Sequence, residues 1–398
     1  MGKGQQRNGK LALASKKIRI YPEDSSKYFQ ALSLYRRAYN LAVHQYIKNT
    51  HLNKDGLFRN LRPEIKEVCK TERAEWDGAY NSLIVDNAVL AAKRTFLAIC
   101  KTNKKLKGAK SGFATLNYKS KKGDIHSFAM DRFPSKLNPA KSALSKIFIT
   151  EPIPEEAIGK SFIVTYNKGR WFLQVQQHIQ TSTEIQGEVR AIAIDPGVRT
   201  FATAYSSSEV IIAGDRFSQN GLYPLMIKVD KLISRKTKLM NVDFGDKDEP
   251  QWYWDTLQFL NKNILKLKSK KDDLIRDLHH RLAFDLVSNY DVIFLPTFQT
   301  KQMVNKKGER RIRRVTARQM LDLNHYKFKQ TIKWYADKYG KHIVDCNESY
   351  TSKTKSWNGE IMENLGSKKE IKEDGFVIDR DVNGARGILL KQLTFQAA

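Results

Sequence analysis

The stretch that most constrains the fold is Ala191-Ile-Ala-Ile-Asp-Pro-Gly-Val-Arg-Thr200. It is an apolar strand that ends on one acid, Asp195, and turns at once at Pro196-Gly197. The first strand reads as Val189–Asp195, and β-rich runs follow at Val198–Tyr205 and Glu209–Ala213. This is a meander with a carboxylate closing its first strand. Helical Leu225–Met240 comes next. A long amphipathic segment follows, in which Leu257, Leu260, Ile264, Leu267, Leu274, Leu278, Leu282 and Leu286 keep to steps of three, four or seven. Asp291–Leu295 is a short strand stopped by Pro296, Ala317–Tyr339 is helical, His342–Cys346 is a strand, and Val382–Leu393 is a last helix. The order β-β-β-α-β-α-β-α predicts a ribonuclease H-like sheet, whose later strands join parallel to the first through helical crossovers.

The amino-terminal half reads differently. Residues 1–15 look like a flexible basic tail, and Lys16–Ile20 alternates as a strand. Helical spacing then runs through Tyr28, Leu32, Tyr35, Tyr39 and Val43, and again through Ala88, Ala92, Phe96 and Ile99. Strand patterns return at Ile147–Thr150, Phe162–Tyr166 and Trp171–His178, with a hairpin turn at Asn167-Lys168-Gly169. A small β-barrel (16–26 and 123–180) carrying a helical insertion (27–122) is expected. Gln180–Glu188 would be the linker into the half from residue 189 onward.

Charge points to the partner. Lys plus Arg number 70 against 42 Asp plus Glu, a formal net charge of +28, and a polyanion is what such an excess fits. Between Lys101 and Lys122 the lysines are interleaved with Phe113 and Tyr118, which suits phosphate contact with base stacking. Lys104, Lys105, Lys107, Lys110, Lys119, Lys121 and Lys122 are candidate contacts there, with Arg310, Arg311, Arg313 and Arg314 in a second basic run. A solvated loop explains these stretches nearly as well, and so does a nuclear signal for the shortest runs. No apolar run approaches the roughly 20 residues of a membrane span, and Met1–Arg7 has no signal-peptide h-region. Cys69, Cys100 and Cys346 lie far apart in apolar contexts and read as reduced core residues, so a cytosol or a nucleus is expected.

In open α/β sheets, sites form beyond the carboxyl ends of the parallel strands. Asp195 follows the first strand, Pro296 the fourth and Asn347-Glu348 the fifth, while Asp379-Arg380-Asp381 opens the last helix. Cutting a phosphodiester needs a nucleophile and neutralised charge at the leaving oxygen, which two Mg²⁺ ions in a small carboxylate cage supply. Asp195, Glu348 and Asp381 are the acids that this order brings to one edge. Ordinary readings stand beside it: a turn residue for Asp195, helix amino-terminal acids for Asp379 and Asp381. His279-His280 are neighbours on a helix and point to different faces, as surface or core residues.

Ile194–Phe201 resembles the first RuvC motif of TnpB proteins and their eukaryotic relatives, the Fanzor proteins. Glu348–Thr354 and Asp379–Ile388 resemble the closing motifs, and Tyr39-Asn40 the amino-terminal signature. The resemblance implies an RNA-guided DNA endonuclease: a monomer on its guide RNA, with an oligonucleotide-binding-like barrel and a single RuvC site for double-stranded DNA. It would be nuclear in a eukaryote and cytoplasmic in a bacterium. Asp195, Glu348 and Asp381 would be catalytic and hold Mg²⁺ (or Mn²⁺), with Asp379, Arg380 and Gln299 as auxiliaries. Leu295-Pro-Thr-Phe-Gln299 lacks the glutamate that usually ends the second motif. That resembles the subgroup in which a relocated glutamate takes over, and Glu348 matches the relocated residue. Residues 355–378 contain no cysteine where many relatives carry a zinc ribbon, so no zinc is expected and a segment (350–378) folded by packing, with a hairpin around Trp357 and Ile361, is. A nuclease-dead RNA-guided DNA-binding repressor and a guide-free structure-specific RuvC-like nuclease are the competing functions.

Overall fold

The computed structural model describes residues 10–48, 54–72, 80–106, 114–131, 147–181, 188–245, 248–296, 300, 304, 312–346, 353–362, 369–373 and 375–396. Two compact units divide them, one of Leu13–His178 and one of Met1–Ala12 with Ile179–Ala398.

In the first unit, strands β1 (Lys10–Pro22), β2 (Ile125–Met130), β3 (Ile147–Ile149), β4 (Phe162–Asn167) and β5 (Arg170–Thr181) form one sheet in the order β2-β4-β5-β1-β3. The described pairings run as an open row, with β2 and β3 as its edges. Helices α1 (Ser25–Lys48), α2 (Lys54–Thr71) and α3 (Ser82–Leu106) share a core with it, in which Tyr28 meets Trp171 edge-on at 5.4 Å and Tyr46 stacks on Phe96 at 4.9 Å. Three expectations change here. The basic tail over 1–15 loses Lys10–Ser15 to β1, because Leu11 and Leu13 continue an alternating pattern upstream of Lys16. β5 runs on to Thr181, two residues into the expected linker. β2 was not legible because its sequence, Ile-His-Ser-Phe-Ala-Met, carries few β-branched residues.

The second unit holds a five-stranded sheet of β6 (Ala191–Pro196), β7 (Thr200–Ser206), β8 (Val210–Asp215), β9 (Val292–Pro296) and β10 (His342–Cys346), ordered β10-β9-β6-β7-β8. β6, β7 and β8 pair antiparallel, whereas β9 runs parallel to β6 and β10 parallel to β9. That is the ribonuclease H-like order. Helices α4 (Tyr223–Met240), α5 (Gln251–Asn289), α6 (Arg314–Leu323) and α7 (His325–Tyr339) precede the last strands, and α8 (Arg380–Gln396) closes the chain after the hairpin β11 (Glu370–Glu373)–β12 (Phe376–Asp379).

Strand alternation sorts the side chains into two layers. Ile192, Ile194, Ile293 and Leu295 share a core with Leu282 and Leu286 of α5 and Phe328 and Ile332 of α7. On the other face Ala193, Phe294 and Cys346 pack against Ile388 and Leu389 of α8. Each of these fully covered large side chains contributes about 1.5–3 kcal/mol.

The single helix expected over Ala317–Tyr339 is broken at Asn324. Its φ of 51° and ψ of 55° are left-handed, ending α6, and its side chain accepts from the Lys327 amide to start α7. Asparagine tolerates this conformation where most L-residues do not. Replacing Asn324 with Ala is expected to cost about 1–2 kcal/mol, whereas Asn324→Gly loses only the cap, a few tenths. Urea unfolding of the full chain measures both.

Candidate carboxylate site at the sheet edge

Asp195 ends β6 on the same side as Ala191 and Ala193, the side that α8 covers. Small alanines under the helix let it lie close to the strand. The turn beyond Asp195 is tight: the Gly197 amide donates to Phe201 O at 3.1 Å, and a Cβ on Gly197 would stand 2.6 Å from Thr200 O. Only glycine fits there without moving backbone. The turn aims Arg199 back at the start of α8, where its guanidinium lies 3.1 Å from Asp381 Oδ2 and 3.8 Å from Asp379 Oδ2.

The two acids at the start of α8 differ in role. Asp379 Oδ1 accepts from the amides of Asp381 at 2.8 Å and Val382 at 3.4 Å, which makes it the helix cap. Asp381, in the first turn, pairs with Arg199 and keeps a one-third exposed side chain. The structure therefore brings Asp381, not a capping residue, to the turn that follows Asp195.

What holds the start of α8 is a clasp built by residues 353–362. Thr354 bridges Ile361 in a narrow hairpin, and the Lys355 ammonium lies 2.7 Å from both Glu360 Oε2 and Glu373 Oε1. Trp357 Nε1 donates to the second Glu373 oxygen at 2.9 Å. Fully buried Asn383 of α8 accepts from the Ser356 amide and donates to Thr354 O, and Arg386 donates to Ser356 Oγ. One lysine thus ties the hairpin to β11, whose partner β12 delivers Asp379. The ion pairs hold the Lys355 pKa above its ordinary value and that of Glu373 below.

Under the turn lies an aromatic stack. Phe201 is fully buried between His325, at 4.8 Å and 6° from parallel, and His279 at 5.1 Å. His279 Nε2 donates to Leu323 O at 2.9 Å, where α6 ends. Left-handed Gly214 (φ 67°) passes so near that a Cβ would stand 2.8 Å from Phe201 Cβ. Burial pushes both histidines down to about 4. His279 is a core residue and His280 an exposed one, bonded to the Tyr335 hydroxyl.

Glu348, Gln299, Lys107, Lys110, Arg310 and Arg311 lie outside the described residues, as does the side chain of Lys105. Pro296 ends β9 beside Cys346, the last residue of β10, in the register. Lys104, Lys121, Lys122, Arg313 and Arg314 are exposed. Lys119 has structural company: its ammonium lies 4.8 Å from the Tyr39 ring centre, and Asn40 binds its backbone amide and carbonyl at 2.8 and 3.1 Å. Sequence reasoning gave Arg199, His325, Asn383 and the Lys355–Glu373 pair no role. Only Arg199 and Asn383 sat inside a quoted motif.

Comparison with known proteins adds to this geometry. Residues 325–388 match the family described as Cas12f1-like, TNB domain, a span that holds α7, β10, the clasp and the start of α8. A TnpB-like protein of Acanthamoeba polyphaga mimivirus is 24% identical over 402 residues, covering 95% of this chain and 73% of the relative. The chain is thus similar to TnpB-like proteins over nearly its whole length. It spans under half of two further TnpB-like proteins of that virus. A candidate RNA-guided DNA endonuclease of Escherichia coli, InsQ, is 23% identical over 58% of this chain and 56% of its own. A cryo-EM structure of a Cas12f1–sgRNA–target DNA complex shares the fold, with a TM-score of 0.50 at 14% identity over 92% of this chain and 82% of that one.

Two predictions follow from the supports. The folded unit keeps His279 and His325 neutral down to about pH 4, whereas an unfolded chain protonates them near 6.5. Between those values the unfolded state binds more protons, so stability is full above pH 6.5 and falls as the pH drops toward 4. The urea midpoint should therefore fall between pH 7 and 5, and His279→Phe should flatten that slope. Lys355→Ala should speed amide exchange over residues 370–379 in hydrogen–deuterium exchange, while α5 keeps its protection.

Proposed function

We propose that this chain is an RNA-guided DNA endonuclease, encoded by or derived from a transposon, with Asp195, Glu348 and Asp381 as its cutting site. The observation that carries the reading is the delivery of Asp381 to the turn after Asp195, at the carboxyl edge of the parallel strands. The names of its relatives support the substrate: InsQ is named for RNA-guided cutting of DNA, and the Cas12f1 structure holds an sgRNA and target DNA.

The donor set fits Mg²⁺. Asp195 and Asp381 offer hard carboxylate oxygens, and one or two carboxylates are the usual protein share of a Mg²⁺ shell. No cluster of three His, Cys, Asp or Glu side chains is assembled among the described residues, and Glu348 lies outside them. Bound there, two such ions would supply the activated water and neutralise the leaving oxygen. The chain's own part is to hold the carboxylates: Asp195 by strand alternation, Asp381 by the Asp379 cap and the Lys355 clasp. Arg199 neutralises Asp381 until another cation does so.

The amino-terminal sheet, read as an oligonucleotide-binding-like barrel, and its helices would carry the guide RNA, with Lys104, Lys121 and Lys122 on phosphates. Sequence would then be read by pairing, with the protein reading only a short flanking duplex. One chain on one RNA is the expected assembly.

Asp195→Ala, Glu348→Ala and Asp381→Ala should each remove several kcal/mol of transition-state stabilisation, a loss of about a hundredfold or more in cutting, while guide RNA still co-purifies. Mg²⁺-dependent cleavage of guide-matched DNA is the measurement. Guide-dependent binding without any cut in the unaltered protein would point instead to a DNA-binding repressor.

A further inference from the structure

A cavity of about 110 Å³ opens where β6 and β9 end, on the α7 side of the sheet. Pro196 and Pro296 form part of its wall, Leu295 and His325 others, and Tyr326 and Gln330 belong to its lining from α7. Pro196 follows Asp195 directly, so the cavity lies at the same strand end as the proposed cutting site, on the opposite face of the sheet. Tyr326 is 70% exposed, although the neighbouring Phe328 is buried in the core. The Tyr326 ring therefore stands in solvent while belonging to the lining of the cavity.

We infer that this cavity receives one nucleobase of the DNA strand held at the carboxylate site, stacked on Tyr326. The inference rests on the nuclease reading and assigns it a second subsite. At about 110 Å³ the cavity is smaller than the ~150 Å³ that encloses benzene, so it takes the edge of a base through its open side and leaves the ring face on Tyr326. Chemistry agrees. Pro196, Leu295 and Pro296 give the lining apolar contact, Tyr326 an exposed aromatic face, Gln330 supplies both a donor and an acceptor for a base edge, and exposed Lys327 on the same helix suits the phosphate beside it. Lys329 is already paired with Asp345 at 2.9 Å, which leaves the interior without a free charge from that residue. Stacking on a π-face accepts any base, as a site must when pairing elsewhere selects the sequence. The cavity would then hold the strand in place while Asp195 and Asp381 act on a neighbouring phosphate.

The test uses the Asp195→Ala full chain with its co-purifying RNA and a short single-stranded DNA carrying 5-iodouracil. Ultraviolet cross-linking followed by peptide mass spectrometry should place an adduct on Tyr326. Tyr326→Ala should lose that adduct and weaken DNA binding by roughly tenfold, and Tyr326→Phe should keep both. The exposed position means that its melting temperature should match that of the parent. Adducts confined to other residues, with unchanged affinity in Tyr326→Ala, would overturn the inference. So would an adduct on Tyr326 that appears only when the label is placed in the RNA. Cutting by Asp195→Ala at the unaltered rate would instead remove the nuclease site and leave the cross-link to stand, so the two failures are distinguishable.

Discussion

The arrangement depends on the two-faced alternation of β6. Ile192 and Ile194 are claimed by the α5 and α7 core, which leaves Ala193 and Asp195 no choice but the opposite face. Ala193 is small enough to let α8 settle against the sheet, and the helix then starts where Asp195 ends. A slip of one residue would turn Asp195 into the apolar layer and push two isoleucines under α8, where Ala191 and Ala193 now let the helix lie close. The hydrophobic core therefore sets the direction of the carboxylate.

The same economy explains the supports. A turn demanding Gly197, a cap from Asp379 and a buried amide at Asn383 are each local devices. Together they bind three separated stretches, 195–199, 353–362 and 379–386, into one constellation. Lys355 does in this hairpin what a bound cation would do: it draws Glu360 and Glu373 together from the two sides. A surface pair of this kind contributes little alone. Here the network is shared with Trp357, and its consequence is where β12 ends.

The sheet was legible because its signals are local. Apolar strands of four to six residues, a long leucine pattern and their order were enough to expect a ribonuclease H-like unit, and Asp195 and Asp381 stood at its ends. The missing parts are those whose cause is tertiary. Asn324 looks like any helical asparagine until the two helices need a corner. β2 has a weak strand sequence and is drawn into the sheet by β4, with which it pairs over its whole length. The basic segment at Lys119 reads as a phosphate contact, whereas Tyr39 and Asn40 hold it to α1. Arg199 was visible as a letter in a motif; its partner Asp381 lies 182 residues away.

Asp195 of β6 and Asp381 of α8, the latter paired with Arg199, are proposed as one cation-binding site. Anomalous diffraction from crystals of the protein soaked in Mn²⁺ tests it most directly. The account predicts manganese peaks bounded by Asp195 and Asp381, with the Arg199 guanidinium withdrawn from Asp381. Manganese bound only elsewhere, with the Arg199–Asp381 pair intact, would contradict it.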